Sequence, residues 1–442
     1  MVDYENADFY TDTSLVDDPH SYFEFLRNKN PVTPLPRPDV VAITGYEELI
    51  AVMLDAEHFS SVNAVNGPIP GLPFTPQGDD ITDQVRAARN KIPYSDQVVT
   101  EDGKRHLDLR SILQPLFTPS RLKALEETLR GTADAMIDTF AADGKVELVG
   151  QYGGPYATLV IADLLGVPKA DRLRFVEWLR GAIPAEMNAE PADMSDSGFA
   201  KIGKRMFALL GQRRIYNKPV IRQARELLGL NRRDPSGRDQ ILTEIALAKF
   251  PDGSTPSIVD ITALAAFLFG AGQDTTNRLL SNGFRVIATR PDIQQELRDN
   301  PDRINDFIEE LLRFDGSVKS GARLCVKTTT IGGVEIKAGT TILLSHMAAN
   351  RDPRRFENPH QFDMNRKKNK EHLAFGRGAH TCIGAPLARR EVAISIERLL
   401  ARMGNVRLSE EHHGPEGDRR YFYEPTYILR AMRALHLEFD PL

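Results

Sequence analysis

The chain has 442 residues, 41% of them hydrophobic, with 56 Lys and Arg against 61 Asp and Glu and only two cysteines, Cys325 and Cys382. A net charge of −5 argues against a general nucleic-acid binder. Two cysteines exclude a disulfide framework and any four-cysteine zinc or iron–sulfur centre built by this chain alone, and they point to a reducing, cytoplasmic setting.

The segment from Met1 to Phe9 is acidic and polar, without the basic and apolar regions of a signal peptide. Residues 31–45 alternate loosely, which predicts the start of a small sheet. Residues 63–100 are rich in Gly, Pro and Asp and predict a long loop with one short helix; long loops in compact domains often serve function. Helical patterns run over 106–142 and 171–180, and a loop is predicted for 181–199. Pro256-Ser257-Ile258-Val259-Asp260 opens the clearest helix, with Ser257 as N-cap and Asp260 three residues on. The pattern continues to Arg290, just before Pro291. About 33 residues at ~1.5 Å each make roughly 50 Å, the width of a domain.

Ile261 to Gly272 in this helix is apolar on all sides, which predicts burial all round. It falls short of the roughly 20 apolar residues that span a membrane. Gly270 and Gly272 run against helix propensity there, and such a local conflict in a buried place marks a candidate functional spot. Asp302–Phe314 predicts a second helix with Ile304, Phe307, Ile308, Leu311 and Leu312 as its apolar stripe. Short strands with turns at Gly332-Gly333 and Ala338-Gly339 are predicted in 321–349, a last helix near Pro386, and a β-hairpin over 421–440. The sum is a mainly α fold with small antiparallel sheets, organised as one domain over 1–442.

The most informative segment is Phe375-Gly376-Arg377-Gly378-Ala379-His380-Thr381-Cys382-Ile383-Gly384. A helix starting at Ala385-Pro386 would aim its N-terminal N–H groups at the sulfur and favour a thiolate. The glycines permit close approach of the backbone to a neighbour, and Phe375 can shield the sulfur. The plain alternative is an inert buried cysteine in a Gly-rich turn; Cys325, with no such context, reads as a small core residue of a strand. The segment resembles the haem-binding loop of cytochromes P-450, matching all six specified positions. A chance match somewhere in a chain of this kind is on the order of one in a million.

The resemblance can be followed along the chain. Ala271-Gly272-Gln273-Asp274-Thr275-Thr276 is similar to the family's acid–alcohol signature, which implies that Gly272 leaves room for oxygen, Thr275 holds the oxygen adduct and a water, and Asp274 relays protons. The alternative is an Asp paired locally and a Thr bonded back to the preceding turn. Glu310-Leu311-Leu312-Arg313 matches Glu-x-x-Arg, a pair at i and i+3 that the family buries behind the haem, although a helical wheel puts Arg313 opposite the apolar stripe. Where many relatives have a third basic residue, this sequence aligns Gln361, which implies a charged pair plus a neutral amide. His106, Arg110 and Arg323 match positions that meet haem propionates, and His380 is expected near one; the forked donors of arginine suit carboxylates. Ala349-Asn350-Arg351-Asp352-Pro353 and His372-Leu373-Ala374 also match.

The resemblance implies the P-450 fold, with the long central helix crossing haem b (iron protoporphyrin IX), Cys382 as the metal ligand, and cofactor contacts from His106, Arg110, Ala271, Arg323, Phe375, Gly376, His380 and Gly384. It implies insertion of one atom of O2 into a small hydrophobic molecule, with Asp274 and Thr275 as catalytic residues. Phe267, Ala271, the 63–100 loop, Val318 and its neighbours to Gly321, and Thr426 would line the substrate pocket. Tyr421-Phe422-Tyr423-Glu424-Pro425-Thr426-Tyr427 looks like relatives that handle terpenoids. Steroids, aromatics and natural-product intermediates stay open as substrates, and a peroxide-driven enzyme or a non-enzymatic haem sensor are the rival classes; neither needs Asp274-Thr275. Gly376-Arg377-Gly378 does not continue as a dinucleotide fingerprint, so electrons are expected from a ferredoxin and its reductase. Lys104, Arg105, Arg121, Lys123 and Arg377 are the candidate docking face. The expected protein is a cytoplasmic monomer with no membrane or nucleic-acid partner.

Overall fold

The computed structural model describes residues 2–180, 187–188, 196–228 and 238–442. Most of the loop expected at 181–199 lies outside the described residues.

The first helices are α1 (Pro19–Lys29), α2 (Tyr46–Leu54) and α3 (Thr82–Ala88); α3 is the short helix expected inside the long loop. The pattern at 106–142 divides into α4 (Gly103–Leu113) and α5 (Pro119–Ile137). Pro115 and Pro119 explain the break: Thr118, ahead of Pro119, is extended at φ −67°, ψ 147°, as the residue before a proline prefers. Then come α6 (Gly154–Leu164), α7 (Lys169–Leu179), α8 (Gly198–Tyr216), α9 (Pro219–Leu227) and α10 (Arg238–Ala246). The long helix is α11 (Ile258–Thr289), 32 residues. It opens with the expected capping box, Ser257 Oγ accepting from Asp260 N and Asp260 from Ser257 N, and it stops where Pro291 begins α12 (Pro291–Asp299). The rest are α13 (Ile304–Asp315), α14 (His346–Ala349), α15 (Ala385–Leu400) and α16 (Glu410–His413). Every residue of the predicted stripe on α13 is buried.

The strands are β1 (Val32–Pro34), β2 (Val40–Ile43), β3 (Phe59–Ser60), β4 (Lys145–Glu147), β5 (Gly321–Cys325), β6 (Thr329–Ile331), β7 (Val334–Ile336), β8 (Thr341–Leu344), β9 (Met403–Leu408) and β10 (His436–Pro441). One sheet has the order β1-β2-β8-β5-β3, and its β2–β8 pair is parallel, so the sheets are not all antiparallel. The turn between β6 and β7 uses Gly332 and Gly333 at φ +56° and +80°, a region that favours glycine. Cys325 is fully buried in β5, and burial pushes its thiol up to about 12, the inert state expected.

Two sequence expectations hold only in part. Residues 421–440 form a hairpin only over 422–433, through the antiparallel bridge of Tyr423 to Met432 and the bonds from Glu424 N to the Ala431 carbonyl and from Arg433 N to the Phe422 carbonyl, while β10 pairs with β4 and β9. Alternation fixes a strand's faces but not its partner, and β4 lies far away in sequence. Nor is α11 buried all round. Ala263 and Ala271 are exposed, and Phe267 and Thr275 are half-buried, so one line at i, i+4, i+8 and i+12 remains uncovered. The other faces pack on α6, α8, α13 and α15.

Candidate active site

The cysteine loop joins the sheet region to α15. Gly376 and Gly378 sit at φ +67° and +75°, and a Cβ on Gly378 would fall 3.0 Å from the Met53 carbonyl oxygen. Both left-handed backbone and a close approach therefore require glycine there. Cys382 N donates to the Phe375 carbonyl at 2.8 Å. Cys382 reaches accessible surface, although the surrounding protein desolvates its thiol. Burial pushes the thiol up, while the N–H groups of Gly384 and Ala385 and the charges of Arg110 and Arg389 pull it down. The N-terminus of α15, with Pro386 in its first turn, thus aims N–H groups at the sulfur, but burial outweighs them and the thiol stays above its ordinary range. Phe375 is covered by the Arg389 guanidinium, 4.7 Å from the ring centroid. Arg389 is held by Glu309 at 3.0 Å, and Glu309 also faces His372 at 3.3 Å.

Beside the loop the predicted basic residues converge. His106 and His380 stack with centroids 3.9 Å apart, Arg110 Nη2 donates to the Thr381 carbonyl at 2.6 Å, and Ser61 Oγ lies 3.0 Å from His380 Nε2. Burial, then the charge of Arg323, then His106 and Arg110 press His380 down to about 3. Among the described residues, Arg323 Nη1 bonds to the carbonyl of Ala322 alone. Among the described residues, no carboxylate lies within ion-pair distance of Arg110 or Arg323. The nearest acid acting on Arg323, Asp102, is engaged by Ser60 and by Ser61 N. Two half-buried guanidiniums without a carboxylate partner and two histidines are costly to collect unless they meet anions. Together with a cysteine whose sulfur receives backbone N–H groups, they form the donor set that fits haem: a metal at the sulfur and two propionates at the basic cluster.

On α11, Ala271 and Thr275 lie on the uncovered line. Thr275 Oγ1 donates to the Ala271 carbonyl at 2.7 Å, and Asp274 Oδ1 is 2.9 Å from Arg278 Nε. These are the local pairings named above as the alternative. Asp274 is nevertheless unusual. It is 5% exposed, its Oδ2 has no hydrogen-bond partner, and burial raises its pKa against the pull of Arg278. It also lines a cleft of about 240 Å³ together with Gln273, Asn277, Glu424 and Arg433, an opening from the surface to the carboxyl.

Gly272 does not open space at this face. A Cβ there would meet Ile161 Cδ1 on α6 at 2.6 Å, so its role is close helix packing. Of the expected pocket residues, Phe267 and Val318 are half-buried. Thr426 is fully buried and its carbonyl accepts from Lys319 Nζ, so its side chain is not accessible.

Glu310 and Arg313 are buried at 0% and 1% exposure, which the helical wheel did not indicate. Arg313 is enclosed on the far side of α13 as well, bonding Glu310 at 2.6 and 2.9 Å and the carbonyls of Asn350, Pro359 and Gln361 at 3.0 Å each. The third basic residue is present after all: Arg366 Nε lies 3.2 Å from both Glu310 oxygens. Gln361 contributes its backbone carbonyl to both arginines, not a side-chain amide. The brace reaches the cysteine loop through Asn350, whose Oδ1 accepts from Leu373 N at 2.6 Å. The docking face also changes. Lys104 pairs with Asp108 and Asp252, Arg105 with Asp260 and Arg121 with Glu244, which leaves Lys123 and Arg377 of the five.

Arg366, Arg389 and Ser61 carry no local signal in the sequence, because each acts through tertiary contact; Arg278, four residues after Asp274 on α11, could have been found from helical spacing. Glu391 was also unforeseen: it is fully buried on α15, bonded to Thr276 of α11, and its carboxyl is pushed up to about 8 by burial.

Comparison with known proteins agrees with this geometry. A family model described as Cytochrome P450 matches residues 77–404. The chain is similar to the solved Mycobacterium marinum cytochrome P450 CYP150A6 in its substrate-free form, at 46% identity and TM-score 0.89, with 99% of each chain covered. It is 28% identical over 432 residues to the cytochrome P450 monooxygenase PikC of Streptomyces venezuelae, covering 96% of this chain and 91% of the relative. It is 28% identical to cytochrome P450(MEG) of Priestia megaterium, covering 88% and 87%. The chain belongs to the cytochrome P450 family. It is accordingly an oxidoreductase of the monooxygenase type that uses haem b and O2. Among the described residues, no helix is long and apolar enough to cross a membrane.

Proposed function

We propose that the Cys382 thiolate is the axial ligand of the haem iron, and that the protein hydroxylates a small hydrophobic molecule, a terpenoid or related hydrocarbon, with electrons from a ferredoxin and its reductase. The observation that carries the reading is the convergence of Cys382, helix α15 and the uncompensated group His106, Arg110, Arg323 and His380 at one place. Haem, when bound, supplies the iron at which O2 is reduced, and a thiolate ligand favours O–O cleavage.

The chain's own residues do the rest. Arg110 and Arg323 neutralise and orient the two propionates, with His106 and His380 as further donors. Phe375 and Arg389 keep water from the sulfur. Arg313, Glu310 and Arg366 fix the segment that carries the loop. Ala271 and Thr275 face the reacting side of α11. With haem bound, the Thr275 hydroxyl, which here donates to the Ala271 carbonyl, would be placed to donate a proton on that side, and Asp274 would resupply it. Asp274 lines the cleft that opens to the surface, its Oδ2 is buried with no partner among the described residues, and its raised pKa favours a carboxyl that takes up a proton and passes it on.

The terpenoid class rests on segment 421–427, and the external electron supply on the missing dinucleotide fingerprint. The composition favours a single cytoplasmic domain. The test is a substrate-library screen for a low- to high-spin shift, followed by turnover with NADH and a ferredoxin pair and product identification. The expected result is a product bearing one labelled atom from 18O2, with Thr275→Ala lowering product per NADH consumed. A protein that binds haem but yields no oxygenated product from any substrate that shifts its spin state would contradict the proposal.

A further inference from the structure

A second cleft, apart from the cysteine loop, opens where the C-terminal half of α11 meets α1, the end of α13 and residues 419–430. Its volume is about 630 Å³. Arg285, its contribution from α11, lies ten residues beyond Thr275, about 15 Å along the helix. Its walls carry five guanidiniums, from Arg285, Arg351, Arg419, Arg420 and Arg430, against two carboxylates, from Asp17 and Asp315. At the rim Asp418 pairs with Arg420 at 2.9 Å and Glu410 lies 4.0 Å from Arg419, so with His20 neutral five guanidiniums against four carboxylates leave a surplus of one positive charge, in a chain whose total is −5. His20 is held neutral because burial, and then Arg351, press it down to about 4.

The arginines are not simply paired off. Arg430 is 7% exposed and lies over the Tyr423 ring at 3.4 Å. Its two Nη atoms donate to the carbonyls of Val16 and Asp17. Its Nε has no partner, the nearest carboxylate oxygen being Asp315 Oδ1 at 4.0 Å. Arg285 donates Nη2 to Asp315 at 2.9 Å, and its Nε is also buried without a partner. Arg351 spends its donors on the Phe314 carbonyl, and burial holds it down to about 10. Buried guanidinium N–H groups are almost always satisfied, and leaving them unmet is costly. Among the described residues the two buried Nε groups have no partner, and both arginines line an open cleft with a positive surplus, where an anion entering from outside would offset their charge.

We infer that this cleft binds a small organic polyanion, a molecule presenting two or more phosphate or carboxylate oxygens. Arg430 and Arg285 are its buried donors, and Arg419 and Arg420 its outer clamp. Forked guanidiniums match such oxygens in pairs. A volume of this size lies in the range of small-molecule pockets and exceeds what one inorganic phosphate fills.

The test is isothermal titration of the holoprotein at low ionic strength with pyrophosphate and, separately, with citrate. One-to-one saturable binding of at least one probe is expected, weakened about tenfold or more in R419Q/R420Q, whose side chains lie at the mouth. R86Q/R402Q, which removes two arginines outside this cleft, should leave it unchanged. Preference for pyrophosphate assigns a phosphate ligand and preference for citrate a carboxylate. Heats that do not saturate with either probe, or equal weakening in both double variants, would overturn the inference.

Discussion

Glu391 offers a quantitative check on the packing between α11 and α15. Its side chain is 1% exposed, Oε2 has no partner, and burial raises its carboxyl from an ordinary 4.5 to about 8, opposed only by the bond to Thr276. Below about pH 4.5 the carboxyl is protonated in both folded and unfolded chains, so the folded state bears no penalty. As the pH rises toward 8, the unfolded chain releases the proton while the folded one holds it. Stability then falls by about 1.4 kcal/mol for each pH unit. A gap of about three and a half pH units amounts to roughly 5 kcal/mol, lost by about pH 8. Glu391→Gln keeps the shape and a hydrogen-bonding head but does not titrate. Urea midpoints of the holoprotein, measured for both proteins at several pH values, should show the variant gaining on the wild type by several kcal/mol between about pH 5 and pH 8. A difference that stays flat over that range would refute a protonated, buried Glu391.

Three other outcomes follow from the same geometry. Arg366→Met should destabilise the holoprotein by about 2–4 kcal/mol, because it strips a partner from a fully buried carboxylate, whereas Gln361→Leu should stay within about 0.5 kcal/mol, since only its backbone carbonyl is used; urea unfolding separates the two. Gly272→Ala should cost about 1–3 kcal/mol by overpacking Ile161, and Ile161→Val, which removes the offending methyl, should recover part of it in the double variant. Arg323→Met should speed haem transfer to apomyoglobin by about tenfold or more, as expected for the loss of a charge-assisted bond to a propionate; an unchanged rate would remove Arg323 from the cradle.

What the sequence made legible was whatever chemistry or local geometry enforces. The capping box at Ser257 and the stop at Pro291 bounded α11 almost to the residue, because both signals act within one helical turn. The cysteine loop was readable because a thiolate ligand needs its glycines and its following helix in a fixed spacing. Contacts between distant segments were not readable. Arg366 reaches Glu310 across 56 positions, and β10 pairs with β4 across the chain. The same limit explains Arg313. A helical wheel finds one apolar face, but α13 is enclosed on a second side by carbonyls of residues 350–361, so a charged residue is buried where the wheel shows solvent. Gly272 was singled out correctly as a conflict, but the neighbour that resolves it, Ile161, belongs to another helix.

The central claim is that Cys382 ligates haem iron through its thiolate. The carbon monoxide difference spectrum of the dithionite-reduced protein tests it most directly. The wild type should show the strongly red-shifted Soret band of a thiolate-ligated haem, and Cys382→Ala should lose it. A wild-type spectrum without that band, or a band that survives in Cys382→Ala, would contradict it.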